Sequence, residues 1–172
     1  RDVLSEVANL GIRCHEFVHT VSMENREEIL KQFADGDIQA LIAIHCLDEG
    51  VDVPSTRTAY FLSSTTNPRE FIQRRGRILR KYKGKERADV YDFIVVPDIQ
   101  KAHLRRDIDI GLLRREMPRF AEFASCAENQ FKARAIIREI LDRFQLLYLF
   151  DIKPWDIYHE VMDSFEIKDR SL

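Results

Sequence analysis

Apolar residues along the first hundred positions fall into two rhythms. Runs such as Ile38 to Ile44 are apolar along most of their length, as are Val90, Tyr91, Phe93, Ile94, Val95 and Val96. Such runs read as strands buried on both faces, whereas the stretches between them repeat their apolar positions every three or four residues, as a helix does. The pattern predicts helices at 2–10 and 23–35, strands at 12–18, 38–44 and 57–62, a helix at 68–80 and a strand at 89–96. Helices alternating with apolar strands predict an α/β fold with a parallel sheet covered on both faces. Asp92 interrupts the last strand as a structural polar residue, Pro97 closes the strand, and His15 is expected inside the core.

Beyond Pro97 the rhythm becomes helical throughout. Leu104, Ile108, Leu112 and Leu113 form one series, and Phe131, Ile136, Ile137, Ile140, Leu141 and Phe144 another. Gly111 and Met117-Pro118 are expected to break the first of these helices, and Lys153-Pro154 to start a short last one containing Trp155 and Tyr158. The expected division is an α/β domain over 1–98 and a helical extension over 99–172. Phe144, Tyr148, Phe150 and Trp155 are expected in the core of that extension.

Composition narrows the class without choosing a function. With 172 residues, 45% hydrophobic and 33% charged, the chain is large enough to bury a core. Cys14, Cys46 and Cys126 lack the paired spacing of a zinc site or disulfide framework, so free thiols in a reducing compartment are expected. No signal peptide or membrane-length apolar run is present, and the expected location is intracellular, cytoplasmic if bacterial. No two histidines have ligand spacing, so no metal site is expected. The net charge of −2 hides a local excess, because Arg69 to Arg87 holds nine Lys or Arg against Glu70 and Glu86 alone. That excess suits a phosphate-rich ligand.

The densest chemistry lies in Gln73-Arg74-Arg75-Gly76-Arg77-Ile78-Leu79-Arg80. On a helix Arg69, Gln73, Gly76, Arg77 and Arg80 share one face, opposite Phe71, Ile72, Ile78 and Leu79. Asn67 can cap this helix, Pro68 suits its first position and Glu70 sits where a capping-box acid belongs. Gly76 is costly within a helix and predicts the close approach of a backbone or a phosphate. Arg75 falls among the apolar positions and is expected to reach an acid on a neighbouring element. Upstream, the strand at 38–44 feeds Cys46-Leu47-Asp48-Glu49-Gly50-Val51-Asp52-Val53-Pro54, an acidic, glycine-containing loop placed where open α/β sheets bind ligands.

These two segments, in this order and about 25 residues apart, resemble motifs V and VI of superfamily 2 helicases and translocases. Arg26-Glu27-Glu28 through Phe33 and Gly36 resembles that family's helix and tight turn before motif V, and the likeness covers residues 1 to about 97. Gln-Arg-x-Gly-Arg-Ile-Leu-Arg is more similar to the DNA-directed branch, with excision-repair helicases and type III restriction-type subunits, than to the RNA-directed branch.

The resemblance implies a RecA-like second motor domain, P-loop NTPase-like but without a phosphate loop of its own. The chain carries neither Gly-x-x-x-x-Gly-Lys-Ser/Thr nor an Asp-Glu-x-His/Asp box. ATP and Mg²⁺ would be held mainly by an N-terminal RecA-like domain of the same protein. The chain is therefore expected to be an excised fragment that lacks the motif IV strand and is inactive alone. Arg80 is implied as the arginine finger and Arg77 as a supporting γ-phosphate contact. Gln73, Gly76, Glu49, Gly50 and Asp52 are implied as nucleotide-binding, Asp52 through ribose. His19, Thr20, Ser22 and Cys46 are implied on the DNA track, although Ser22 is also a natural helix cap.

DNA, duplex or single-stranded, is the implied partner, with duplex favoured; no membrane partner is expected. In the extension, Arg105, Arg106, Arg114 and Arg115 offer a further DNA contact, but packing is the favoured role. The alternative to a motor is a non-catalytic nucleic-acid-binding or protein-interaction module that keeps the fold.

Overall fold

The computed structural model describes residues 2–18, 20–43, 53, 55–62, 65, 67–101 and 106–159. In chain order the elements are α1 (Asp2–Asn9), β1 (Cys14–Phe17), α2 (Met23–Asp35), β2 (Ala40–Ala43), β3 (Thr58–Phe61), α3 (Pro68–Ile78), β4 (Asp89–Asp92), α4 (Arg106–Ser125) and α5 (Gln130–Phe144). A 3₁₀ turn at Leu147–Phe150 and a helical stretch at 154–159 follow. The α/β class with parallel strands is therefore present. Among the described residues the strands form two pairs, β1 with β2 and β3 with β4. The first pair is parallel, with Cys14 beside Ala40 and Phe17 beside Ala43. In the second, Asp89 N–H donates to the Arg57 carbonyl and Phe93 N–H to the Phe61 carbonyl. Both donors lie 32 residues beyond their acceptors, so these strands are parallel too.

The chain separates into two compact units, residues 1–59 with 76–89, and residues 60–75 with 90–172. In the first, Phe17, Ile29 and Ile38 are buried, with Val21, Leu30, Phe33 and Leu41 packed against them. Ser22 caps α2 by accepting from the Asn25 N–H. Gly36 ends that helix in the left-handed conformation at φ 88°, its N–H donating to the Phe33 carbonyl. Arg13 locks the exit, donating from Nε to the Asp37 carbonyl at 2.6 Å and from its guanidinium to the Gly36 carbonyl at 2.9 Å. Gly36→Ala should lower stability by about 1 kcal/mol in a urea titration, because a Cβ there meets open space but strains the backbone. An unchanged midpoint would show that the turn relaxes. His15 is exposed, not in the core: its ring faces outward from β1 and lies 2.6 Å from the Glu16 carbonyl.

The second unit is built on the helical segment. Leu113 and Met117 of α4 and Leu141 and Phe144 of α5 are buried with Leu149, Phe150 and Ile157 in one apolar core. The expected break at Gly111 and Pro118 does not occur, since α4 runs unbroken from Arg106 to Ser125 with Pro118 inside it. Leu113, Met117, Pro118, Ala121 and Ala124 are all buried along it, and that burial offsets a proline penalty of about 3 kcal/mol. Phe131 and Ile136, at helical spacing in the sequence, are instead exposed, as are Tyr148 and Trp155.

The last strand is also shorter than its apolar run. It stops at Asp92, whose carboxylate accepts from Arg119 Nε at 3.1 and 3.0 Å. Tyr91, Phe93 and Val95 alternate outward and are exposed, so cover on both faces fails here. Tyr60 and Tyr91 instead stack on each other with ring centroids 4.7 Å apart.

Candidate functional site

The start of the arginine-bearing helix α3 follows from local chemistry. Asn67 Oδ1 caps the helix by accepting from the Arg69 N–H at 3.1 Å, and its Nδ2 donates to Glu70 Oε1 at 3.2 Å, while its own N–H donates to Thr65 Oγ1. Pro68 occupies the first helical position and is buried. Phe71 is buried at 1% exposure and meets Phe123 of α4 edge-on.

Arg75, the cation among apolar positions, has its acid in Glu122 of α4. Its guanidinium lies 2.8 Å from Glu122 Oε1, donates to the Glu122 carbonyl at 2.9 Å, sits 3.5 Å from Cys126 Sγ and stands over the Phe123 ring. Arg74 is paired with Glu70 one turn back. Two of the helix's arginines are therefore structural. Gln73, by contrast, is exposed.

The other end of the helix departs from expectation. α3 stops at Ile78, not residue 80; Leu79 lies in a turn, and Lys85 Nζ donates to the Ile78 carbonyl at the helix end. Arg77 is half-buried on the helix and Arg80 lies exposed in the turn after it, so the two do not share one helical face. Gln73 and Arg77 both remain within α3, four residues apart. Gly76 has ordinary helical backbone, and an added Cβ would meet nothing within 4 Å. Nothing described in this chain requires glycine there.

Of the remaining sequence candidates, Thr20 is exposed in the turn before α2 and Ser22 serves as that helix's cap. His19, Cys46, Glu49, Gly50 and Asp52 lie outside the described residues. Among the described residues no group of three His, Cys, Asp or Glu side chains is disposed to hold a metal. The cations at Arg77 and Arg80, with open space at Gly76, suit the phosphate tail of a nucleotide better than a metal ion.

A groove of about 410 Å³ in the first unit has no counterpart in the sequence reading. Gln39, Ser55, Arg57, Thr58 and Tyr82 line it, over Phe33 and Ile38. Its residues come from three distant stretches, and only the basic excess from Arg69 to Arg87, which surrounds Tyr82, gave a signal.

Comparison with known proteins finds similar sequences. Residues 2–82 match the helicase conserved C-terminal domain. A DNA 3'-5' translocase XPB2 from Sulfurisphaera tokodaii is 48% identical over 63 residues, 37% of this chain and 14% of that protein. An ATP-dependent RNA helicase dbp6 from Schizosaccharomyces pombe is 27% identical over 79 residues, 46% of this chain and 13% of that protein. The UvrABC system protein B of Colwellia psychrerythraea is 23% identical over 175 residues, 99% of this chain and 24% of that protein. The chain thus spans between an eighth and a quarter of the length of these relatives.

Proposed function

We propose that the chain, whose residues 2–82 match the helicase conserved C-terminal domain, is the second motor domain of an ATP-dependent DNA helicase or translocase of superfamily 2. The single observation that carries this reading is the α3 segment, where Arg77 and Arg80 bracket the helix end beside the open position at Gly76. In this reading ATP and Mg²⁺ are held mainly by an N-terminal RecA-like domain, and Arg80 and Arg77 meet the terminal phosphates when the cleft closes. Bound ATP supplies the phosphoryl group and the free energy of its transfer. The guanidinium groups stabilise the charge that develops on the equatorial oxygens, Arg80 as finger and Arg77 as supporting contact.

Gln73 orients the nucleotide or the attacking water, Asp52 contacts ribose, and Glu49 and Gly50 link the nucleotide to the DNA track. Thr20, Ser22, His19 and Cys46 lie along that track. The chain alone is inactive in this account, since the phosphate-cradling loop belongs to the other domain.

Gly76→Ala separates this account from a non-catalytic module. The substitution should stabilise the isolated fold by up to about 1 kcal/mol through helix propensity, because the added methyl meets nothing within the chain. In full-length protein it should nevertheless depress DNA-stimulated ATP hydrolysis, since the methyl intrudes on the phosphate approach. Full-length protein whose ATPase responds to neither DNA nor RNA would sink the motor reading, and stimulation by RNA alone would redirect it to RNA.

A further inference from the structure

The groove in the first unit is bounded on one side by a tight basic turn. Tyr82 and Lys85 form an antiparallel bridge across it, and Gly84 takes φ 74°, in the left-handed region that lets so short a turn close. Arg57 holds the turn from the groove wall, donating to the Gly84 carbonyl at 3.0 Å. Lys85 is committed to the Ile78 carbonyl. Lys81 and Lys83 are exposed, and the Tyr82 ring between them is 46% exposed and lines the groove.

Among the described residues no acidic side chain lines the groove, and the hydroxyl-bearing Ser55 and Thr58 line it together with Arg57. Cations flanking an aromatic ring over a hydroxyl-lined groove match the chemistry of a sugar–phosphate strand with a base to stack. Phosphates pair with the lysines, and the ring presents a π-face that any base can cover. A duplex would satisfy the lysines but keeps its bases stacked on one another, so the aromatic ring favours an unpaired strand.

We propose that the Lys81–Arg87 turn and the groove beneath it form a second contact for single-stranded DNA, apart from the DNA track proposed above at Thr20 and Ser22. The proposal rests on the nucleic-acid reading above and adds a site to it. Lys81 and Lys83 each neutralise one phosphate, Tyr82 stacks one base, and Arg57 fixes the turn that presents them.

The test is fluorescence anisotropy of labelled (dT)₂₀, with (rU)₂₀ in parallel, on full-length protein across a salt series. Lys81→Ala/Lys83→Ala should reduce the slope of log K against log salt by about 1.4, and weaken binding about 20-fold at 0.1 M salt. Tyr82→Ala should weaken binding about 5- to 100-fold without changing the slope, while Tyr82→Phe stays near wild type. Basal ATPase and melting temperature should stay unchanged in all three. Wild-type binding to (dT)₂₀ with slope and affinity unaltered in the variants would overturn this site and leave the motor reading standing. Wild-type protein that binds neither strand would overturn both, and binding to (rU)₂₀ alone would overturn the assignment to DNA.

Discussion

Replacing Arg80 by alanine in the full-length protein should lower DNA-stimulated ATP hydrolysis about 10³-fold or more, while the fold stays intact. A guanidinium brought to the γ-phosphate typically contributes about 10³ to 10⁵ in kcat, and about 1.4 kcal/mol of barrier corresponds to each factor of ten. Arg80 is exposed in the turn after Ile78, so its removal empties no core position, and the melting temperature should move by no more than a surface substitution moves it. Arg80→Lys should recover little, because an ammonium keeps the charge and loses the planar fork that grips two oxygens at once. Arg77→Ala should show a smaller loss with a raised KM for ATP, as suits a supporting contact. ATPase within a few-fold of wild type in Arg80→Ala would end the finger assignment. Placing Arg80 outside the helix sharpens this expectation, because a side chain in a turn can swing toward a closing lobe without bending α3.

Arg119→Met should be the most damaging single change to the fold, lowering stability by about 3–5 kcal/mol. Arg119 is 2% exposed and serves both oxygens of Asp92, Glu116 Oε2 at 2.9 Å and the Phe93 carbonyl at 3.4 Å. Methionine fills much of the volume and leaves two carboxylates without their cation. Burial already holds the Asp92 carboxyl above its usual value, Arg119 draws it back through charge and hydrogen bonds, and Glu116 pushes it up. Removing Arg119 raises it further. A carboxyl whose folded-state value is raised contributes stability below its unfolded value and loses that contribution as pH climbs through the folded one. The deficit of the variant should therefore be smaller near pH 4 than at pH 7 in denaturant titrations. Adding Asp92→Asn and Glu116→Gln should return part of the loss, since neutral groups tolerate burial without a cation. A deficit below about 1 kcal/mol at pH 7 would show that water reaches the cluster.

What could be read from the chain was what short-range chemistry decides. Asn67, Pro68 and Glu70 mark the start of α3 within four residues, and the structure forms that cap. The end of the same helix was misplaced because Leu79 and Arg80 continue its amphipathic pattern, while the side chain that meets its last carbonyl is Lys85, seven residues on. Arg75 stood out as a misfit, yet Glu122 lies 47 residues away and only folding brings it near. Pro118 misled because its local penalty is visible in sequence and the burial that outweighs it is not. In β4 the apolar run on either side of Asp92 suggested burial on both faces, but Tyr91, Phe93 and Val95 are exposed, and Tyr91 stacks on Tyr60 on the outer face. The groove was invisible because Gln39, Arg57 and Tyr82 have no common spacing. The glycine-containing loop at 46–54 falls almost wholly outside the described residues, so its assigned roles stay with the proposal.

The attachment of Arg75 to α4 has a practical consequence for anyone who exchanges parts between relatives. Glu122, Phe123 and Cys126 hold its guanidinium, Phe123 also meets Phe61 and Phe71, and Arg119 serves Asp92. A chimera joined at residue 98 would inherit one half of each of these pairings from each parent. Unless Arg75 and Asp92 travel with matching α4 residues, the hybrid would be compromised at its seam, whatever the quality of its donors.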